Sequence, residues 1–335
     1  MAVEISTIHG RDALAALEPE WSALCDAADA TVFQRPEWLL PFADLFEGTP
    51  LALTMRTGGR LVGFVPLSCH ETATGKELRL LGTGLTDFLD AIADTRSRDA
   101  VRDAVTAWAR QALAHGFAID WQQLPHGSLL LDVPSVGGST DRIDPHEPCP
   151  ALVFDPTVTD GGPAVPHKMR DKLRYYTHRA RAAGRLEFEV ATLDTCTTLL
   201  DAVCRLHERR WSQEGGGVLR DTRVRELNRR VARALAARDR LALHVVRLNG
   251  AIVAGTFGFR DRARVYLYLS GMDPSFQELS PGTLCIGHMV EWAQRIGARS
   301  VEFLRGREPY KYFWGVTDRP TFRRQLLPGP LSSAA

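Results

Sequence analysis

Lysine is the scarce residue of this chain. Only Lys76, Lys168, Lys172 and Lys311 are present, and arginine supplies the rest of the 41 basic residues. An excess of charge of either sign is also missing. With 40 acidic residues the formal charge is +1, which argues against a broad nucleic-acid-binding surface. The six cysteines (25, 69, 149, 196, 204 and 285) show no CxxC spacing and read as reduced, mostly buried thiols. No apolar run is long enough to span a bilayer, and Met1–Ile5 lacks a basic, apolar leader pattern, so a soluble cytoplasmic protein is expected. There is no phosphate-binding Walker loop, no His-Glu-x-x-His and no Gly-x-Ser-x-Gly. His9, His70, His115 and His126 are dispersed, so no metal site is expected.

The most informative stretch runs from Arg264 to Gly315. Arg264–Ser270 alternates aromatic and aliphatic residues and predicts a strand. Gly271, Pro274 and Pro281 end it. Leu284, Cys285, Met289, Val290, Ala293 and Ile296 recur at helical spacing until Gly297, with Ser280 placed to cap the helix and Pro281 in its first turn. A strand over Val301–Leu304 then enters the loop Arg305–Gly315, rich in aromatic and charged residues. A helix N-terminus after a loop offers free N–H groups and positive dipole, suited to a phosphate or an oxyanion. An ordinary capped helix is the plainer alternative.

At 335 residues the chain is long enough for two domains with their own cores. Helices are expected over Ala13–Ala27, to Phe46 and over Asp99–His115. A hairpin is expected at Leu51–Arg56 and Leu61–Leu67 around Gly58–Gly59, with strands at Leu78–Leu81 and Phe117–Trp121. Asp132–Pro166 reads as connecting loop with a short strand at Ala151–Phe154. Helices near Lys168–Ala183, Leu199–Gln213 and Val224–Ala237 precede a second hairpin, Leu241–Arg247 and Ala251–Phe259, around Asn249–Gly250. Arg56-x-x-Gly59-x-x-Val62 and Arg247-x-x-Gly250-x-x-Val253 repeat one another. The expected organisation is two similar α/β units, residues 1–150 and 151–335.

The order strand, loop, helix, strand, with Gln277, Ser280 and Gly282 in the loop, resembles the acyl-donor half of the GNAT acyltransferases, whose loop reads Gln/Arg-x-x-Gly-x-Gly/Ala. Ser280 stands where that pattern has its middle glycine, and Pro281 removes one N–H. Phe303–Gly306 followed by Glu308-Pro-Tyr310-Lys311-Tyr-Phe-Trp314-Gly315 is similar to the CelD-like tandem-GNAT group and, more distantly, to Fem-type transferases. The resemblance implies two tandem GNAT-like domains, each a mixed, mostly antiparallel sheet flanked by helices. It also implies an N-acyltransferase moving an acyl group from acyl-CoA to a small-molecule or peptide amine, with Gln277, Ser280, Gly282 and Thr283 at the donor. Fem-like use of aminoacyl-tRNA, or a non-catalytic ligand- or partner-binding protein, are the alternatives. DNA and metal are not expected partners.

Within that frame Lys311 is the leading candidate to stabilise an oxyanion or hold a donor phosphate; its plain alternative is a surface lysine beside packed aromatics. Tyr310 can relay a proton, and Glu308 and Asp87 can accept one from, or orient, the amine. Asp87 also matches a Ser/Thr-Asp-Tyr/Phe stretch of CelD-like proteins, or else makes an Asx turn. Arg210, Trp211, Arg305, Tyr268, Arg174 and Tyr175 are candidate substrate contacts. Arg174 and Tyr175 lie on the basic helix after Lys168, which can equally be a solvated face. No cysteine sits in a nucleophile motif, so direct attack by the amine is expected.

Overall fold

The computed structural model describes residues 3–155, 165–211 and 217–329, without the side chains of Arg210 and Trp211. The chain forms two compact units, one of residues 1–147 and 319–335, the other of residues 148–318.

In unit 1 the elements run β1 (Glu4–His9), α1 (Arg11–Ala16), α2 (Glu18–Ala27), α3 (Pro36–Leu45), β2 (Thr49–Thr57), β3 (Arg60–Thr72), β4 (Gly75–Leu80), β5 (Ile92–Ala93), α4 (Arg98–Ala114), β6 (Ala118–Pro125) and β7 (Thr140–Pro145). In unit 2 they run β8 (Cys149–Val153), α5 (His167–Ala183), β9 (Leu186–Val190), α6 (Cys196–Trp211), α7 (Thr222–Ala236), β10 (Leu241–Leu248), β11 (Ala251–Arg260), β12 (Arg264–Met272), α8 (Pro281–Arg295), β13 (Ser300–Glu302), α9 (Pro309–Tyr312) and β14 (Thr317–Arg319). The last strand, β15 (Thr321–Leu327), returns to the sheet of unit 1.

The two sheets follow one plan. Their orders are β1-β2-β3-β4-β6-β15-β7 and β9-β10-β11-β12-β13-β8-β14. Each contains a parallel junction among antiparallel pairs, β4 with β6 and β12 with β13. The strand beyond that junction comes from the opposite half of the sequence in both sheets, β15 in the first and β8 in the second. This corrects the expected boundary: residues 319–335 belong to unit 1 rather than to a continuous second domain. Thr321–Leu327 pairs with β6 and β7, nearly two hundred residues back, a partnership that no local pattern announces. Arg324 anchors it. Its buried guanidinium donates to Asp141 Oδ1 and Oδ2 at 3.0 and 2.7 Å and to Leu130 O at 2.7 Å.

Both hairpins form where expected. Gly58 and Gly59 have φ of 57° and 79°, and Asn249 and Gly250 have φ of 51° and 84°. Positive φ at both turn residues matches the strand twist of a two-residue hairpin, and Gly and Asn tolerate it best. The expected helix over Ala13–Ala27 is instead two helices, because Pro19 has no N–H and opens a new first turn in α2. The segment after Asp132, read as loop, also carries β7.

The core of unit 2 is built by α8. Leu284, Cys285, Met289, Val290 and Ala293 form one buried stripe against Ala242, Val246, Val265 and Val301 of the sheet, the 3.6-residue period turned into packing. Each large aliphatic side chain so buried contributes roughly 1.5–3 kcal/mol before entropy is charged. On α6, Val203 and the backbone at Leu206–His207 press into the sheet at Gly255 and Gly271, which face each other across β11 and β12. A Cβ on Gly271 would lie 2.4 Å from His207 N, and one on Gly255 2.3 Å from Val203 Cγ2. At Gly271 the α6 backbone occupies the space of a side chain, whereas at Gly255 the Val203 side chain does.

Candidate functional site

The parallel pair β12–β13 is short. It ends at Tyr266 and Glu302, while β12 continues to Met272. Beyond the point where the pairing stops, a cavity of about 350 Å3 lies against Ser270, Gly271 and Met272. The start of α8, with Ser280, Gly282 and Thr283, forms a second wall. Met169, Lys172 and Tyr176 line it from α5, at i, i+3 and i+7, and Tyr310, Phe313 and Trp314 line it from the segment after β13. Leu173 of α5 seats over Gly287 of α8, where an added Cβ would lie 2.6 Å from Leu173 Cδ2. That close crossing holds α5 against α8 beside the cavity.

At the head of α8 the expected cap is replaced by strain. Ser280 adopts φ 46° and ψ 51°, the left-handed conformation, and its side chain makes no capping hydrogen bond. Glycine takes this conformation freely and serine pays for it, so the position where the family pattern has glycine keeps the glycine backbone. Leu284 N donates to Ser280 O at 3.2 Å and Pro281 has no N–H. The helix-end donors facing the cavity walls are therefore those of Gly282 and Thr283. Gly282 has ordinary φ, and an added Cβ would first meet Met272 Sδ at 3.5 Å. Packing does not demand glycine there.

Lys311 is placed differently from the sequence expectation. Its side chain is buried, and Nζ donates to Leu304 O, Arg305 O and Gly306 O at 3.1, 2.7 and 3.2 Å, with Glu308 Oε2 at 2.9 Å. All three protons of the ammonium are committed, so the direct oxyanion or phosphate role is corrected to that of a clamp. The carbonyls converge because Leu304 (φ 59°) and Gly306 (φ 100°) turn the backbone left-handed on either side of Arg305. Glu308 spends its carboxylate on Lys311 rather than on a substrate amine. The clamp fixes the loop from which Tyr310, Phe313 and Trp314 reach the cavity.

Lys172 is the cation that the sequence reading passed over. It is the one charged side chain among the described residues lining the cavity, and Nζ stands 4.5 Å from the centroid of the exposed Phe313 ring. A lysine three residues after Met169 and four before Tyr176 on an amphipathic helix was the available signal; its meaning depends on β12 lying opposite. Tyr310 lines the cavity. Tyr268 packs instead on Phe257 and Phe259, with centroids 6.1 and 5.5 Å away. Gln277 is exposed, and its carbonyl accepts from Ser280 N at 3.0 Å, closing the turn before α8. Arg305 contributes its carbonyl to the clamp. Arg174 pairs with Asp171 on the solvated face of α5, and Tyr175 is exposed beside Tyr176 under the guanidinium of Arg179. Asp87 is buried in unit 1 and does not line this cavity. The side chains of Arg210 and Trp211 lie outside the described residues.

The buried thiol of α8 is not poised as a nucleophile. Burial pushes the Cys285 thiol up to about 12, which leaves no useful thiolate at neutral pH. Among the described residues no group of three or more metal-capable side chains occurs, and no helix is long and apolar enough to cross a membrane.

Residues 167–312 match the profile of the Acetyltransferase (GNAT) domain, so the second half of the chain carries a GNAT-type domain. The span includes the cavity walls from α5 through Tyr310. Over its length the chain has the fold of FemX, with a TM-score of 0.68 at 12% identity, covering 95% of this chain and 96% of that one. The DUF2156 C-terminal domain of a protein assigned as a lysylphosphatidylglycerol synthetase from Agrobacterium fabrum aligns with a TM-score of 0.60 at 12% identity, over 93% of this chain and 92% of that one. No curated protein matches the sequence. The resemblance to the GNAT superfamily therefore stands, with a distant relation to Fem-type proteins that is one of fold.

Proposed function

We propose that the chain is an N-acyltransferase whose donor is an acyl-CoA held in the cavity at the head of α8. The observation that carries this reading is the pairing of an apolar cavity, walled by Met169, Met272, Ile286 and Trp314, with an anion-seeking mouth. The N–H groups of Gly282 and Thr283, the α8 dipole and Lys172 together suit a diphosphate. The edge of β12 beyond its pairing with β13 suits an amide-bearing arm. A carbonyl beyond Ser270 is then attacked directly by a neutral amine, and the thiolate leaves and takes up a proton. Tyr310 is the hydroxyl placed to pass that proton. With Cys285 protonated and buried, no acyl-enzyme is needed.

A second reading is favoured by one feature. Pro281 removes a helix-end donor, while α5, whose Met169, Lys172 and Tyr176 line the cavity, also carries Lys168, Arg174 and Arg179. A donor with an extended phosphate backbone, such as an aminoacyl-tRNA, uses such a face better than a single diphosphate does.

Thermal unfolding with coenzyme A, acetyl-CoA, longer acyl-CoAs and charged tRNA, each titrated separately, tests both. A ligand at a hundred times its dissociation constant adds about 2.7 kcal/mol. A saturable rise with an acyl-CoA that Lys172→Gln weakens supports the first reading. A rise with charged tRNA alone moves the donor to the second. Binding of an acyl-CoA without turnover on any amine defeats the catalytic reading.

A further inference from the structure

A separate groove of about 340 Å3 lies in unit 2 between α6 and the β10–β11 hairpin, lined by Ala202, Arg205, Leu206, Arg209, Arg247 and Ile252. None of these residues lines the cavity at α8. The four α6 residues fall at i, i+3, i+4 and i+7, so one helical face supplies two guanidiniums and an apolar floor. Two of the three arginines are already oriented. Arg247 Nε donates to Glu189 Oε2 at 2.8 Å and Nη1 to Gly250 O at 3.0 Å. Arg209 Nη1 donates to Asp273 Oδ2 at 3.1 Å. Arg205 is exposed and has no hydrogen bond or ion pair with the described residues.

Arg205 thus presents a positive charge with no ion pair among the described residues, on a concave surface shared with two further guanidiniums in a protein with no overall cationic bias. We infer that this groove binds the phosphate or diphosphate end of a small ligand, whose carbon skeleton rests on Ala202, Leu206 and Ile252. Arg205 supplies the free fork, and Arg247, held from behind by Glu189, supplies a fixed one. Phosphate oxygens accept two such forks at once, which a single carboxylate does not. The assignment is independent of which donor occupies the α8 cavity.

The test is calorimetric titration of the full chain with inorganic pyrophosphate at low ionic strength. Saturable binding is expected, weakened about tenfold by Arg205→Gln and further by Arg205→Gln with Arg247→Gln, since each fork removed takes its charge-assisted hydrogen bonds with it. Pyrophosphate entering the α8 mouth would be a second site, which Lys172→Gln weakens, so the site that Arg205→Gln removes is expected to persist in Lys172→Gln. Arg205 is exposed, so its variant keeps the wild-type unfolding profile. Equal binding by the double variant, loss in Lys172→Gln of the same site that Arg205→Gln removes, or no heat at millimolar pyrophosphate each overturn the assignment. So does retention of tRNA or anionic vesicles through these arginines without any response to pyrophosphate.

Discussion

Replacing Lys311 by methionine separates a clamp from a catalyst. The substitution keeps most of the buried stem and removes the ammonium, leaving the carbonyls of Leu304, Arg305 and Gly306 without their shared donor. Hydrogen bonds to a charged group contribute roughly 1.5–3 kcal/mol each, but Arg305 and Gly306 are only half-buried, so water recovers part of theirs. Glu308 is 46% exposed at its side chain and can be solvated, which makes its share small. The net cost is about 2–4 kcal/mol, toward the lower side of breaking a fully buried pair. Urea unfolding of Lys311→Met should show that loss. Donor affinity should fall with it, because Tyr310, Phe313 and Trp314 reach the cavity from the clamped loop. Glu308→Gln should cost less than about 1 kcal/mol. A Lys311→Met protein with unchanged stability and donor affinity but no transfer activity would refute the clamp and restore a direct catalytic role.

Other expectations follow from the same geometry. Gly271→Ala forces a Cβ to within 2.4 Å of the α6 backbone; a shift of α6 costing about 1–3 kcal/mol should lower the melting temperature and weaken donor binding. His244 and His288 face each other at 3.1 Å, Nδ1 to Nδ1. Burial lowers them to about 3 and about 4, so both are neutral in the folded state. The unfolded chain takes up more protons below the ordinary imidazole value near 6.5, so their stability is fully present above that pH and is lost as pH falls toward 4 and then 3. Unfolding free energy measured against pH should show this decline, with a shallower slope in His288→Gln. Truncation after Pro320 removes β15 and with it the Arg324 anchor; loss of cooperative unfolding of unit 1, read by hydrogen exchange on β6, is the expected result.

Much of unit 2 was legible because its signals are local. Asn249–Gly250 dictates a hairpin, the α8 stripe has a clear period, and Pro274 and Pro281 bracket the turn before it. Of the loop residues that the spacing singled out, Ser280, Gly282 and Thr283 line the cavity, while Gln277 is exposed and Ser280 is left-handed rather than a side-chain cap. What stayed hidden depends on distance in the sequence. The placement of β15 in unit 1 rests on pairing with β6 and β7, and nothing in Thr321–Leu327 names those partners. The two lysines exchanged roles for a similar reason. Lys311 sits in the stronger motif, yet two left-handed residues aim three carbonyls at it. Lys172 sits on what reads as a solvated basic helix, and only the seating of α5 over Gly287 brings it to the cavity.

The most direct test of the donor assignment is calorimetric titration of acetyl-CoA into the wild type and into Gly282→Leu, whose added side chain points toward Met272 across the cavity. Gly282 has ordinary φ, so the variant is expected to fold. Saturable binding of one equivalent by the wild type, abolished in Gly282→Leu, is the predicted result. Equal affinity in the two proteins, or no binding by the wild type, would contradict it.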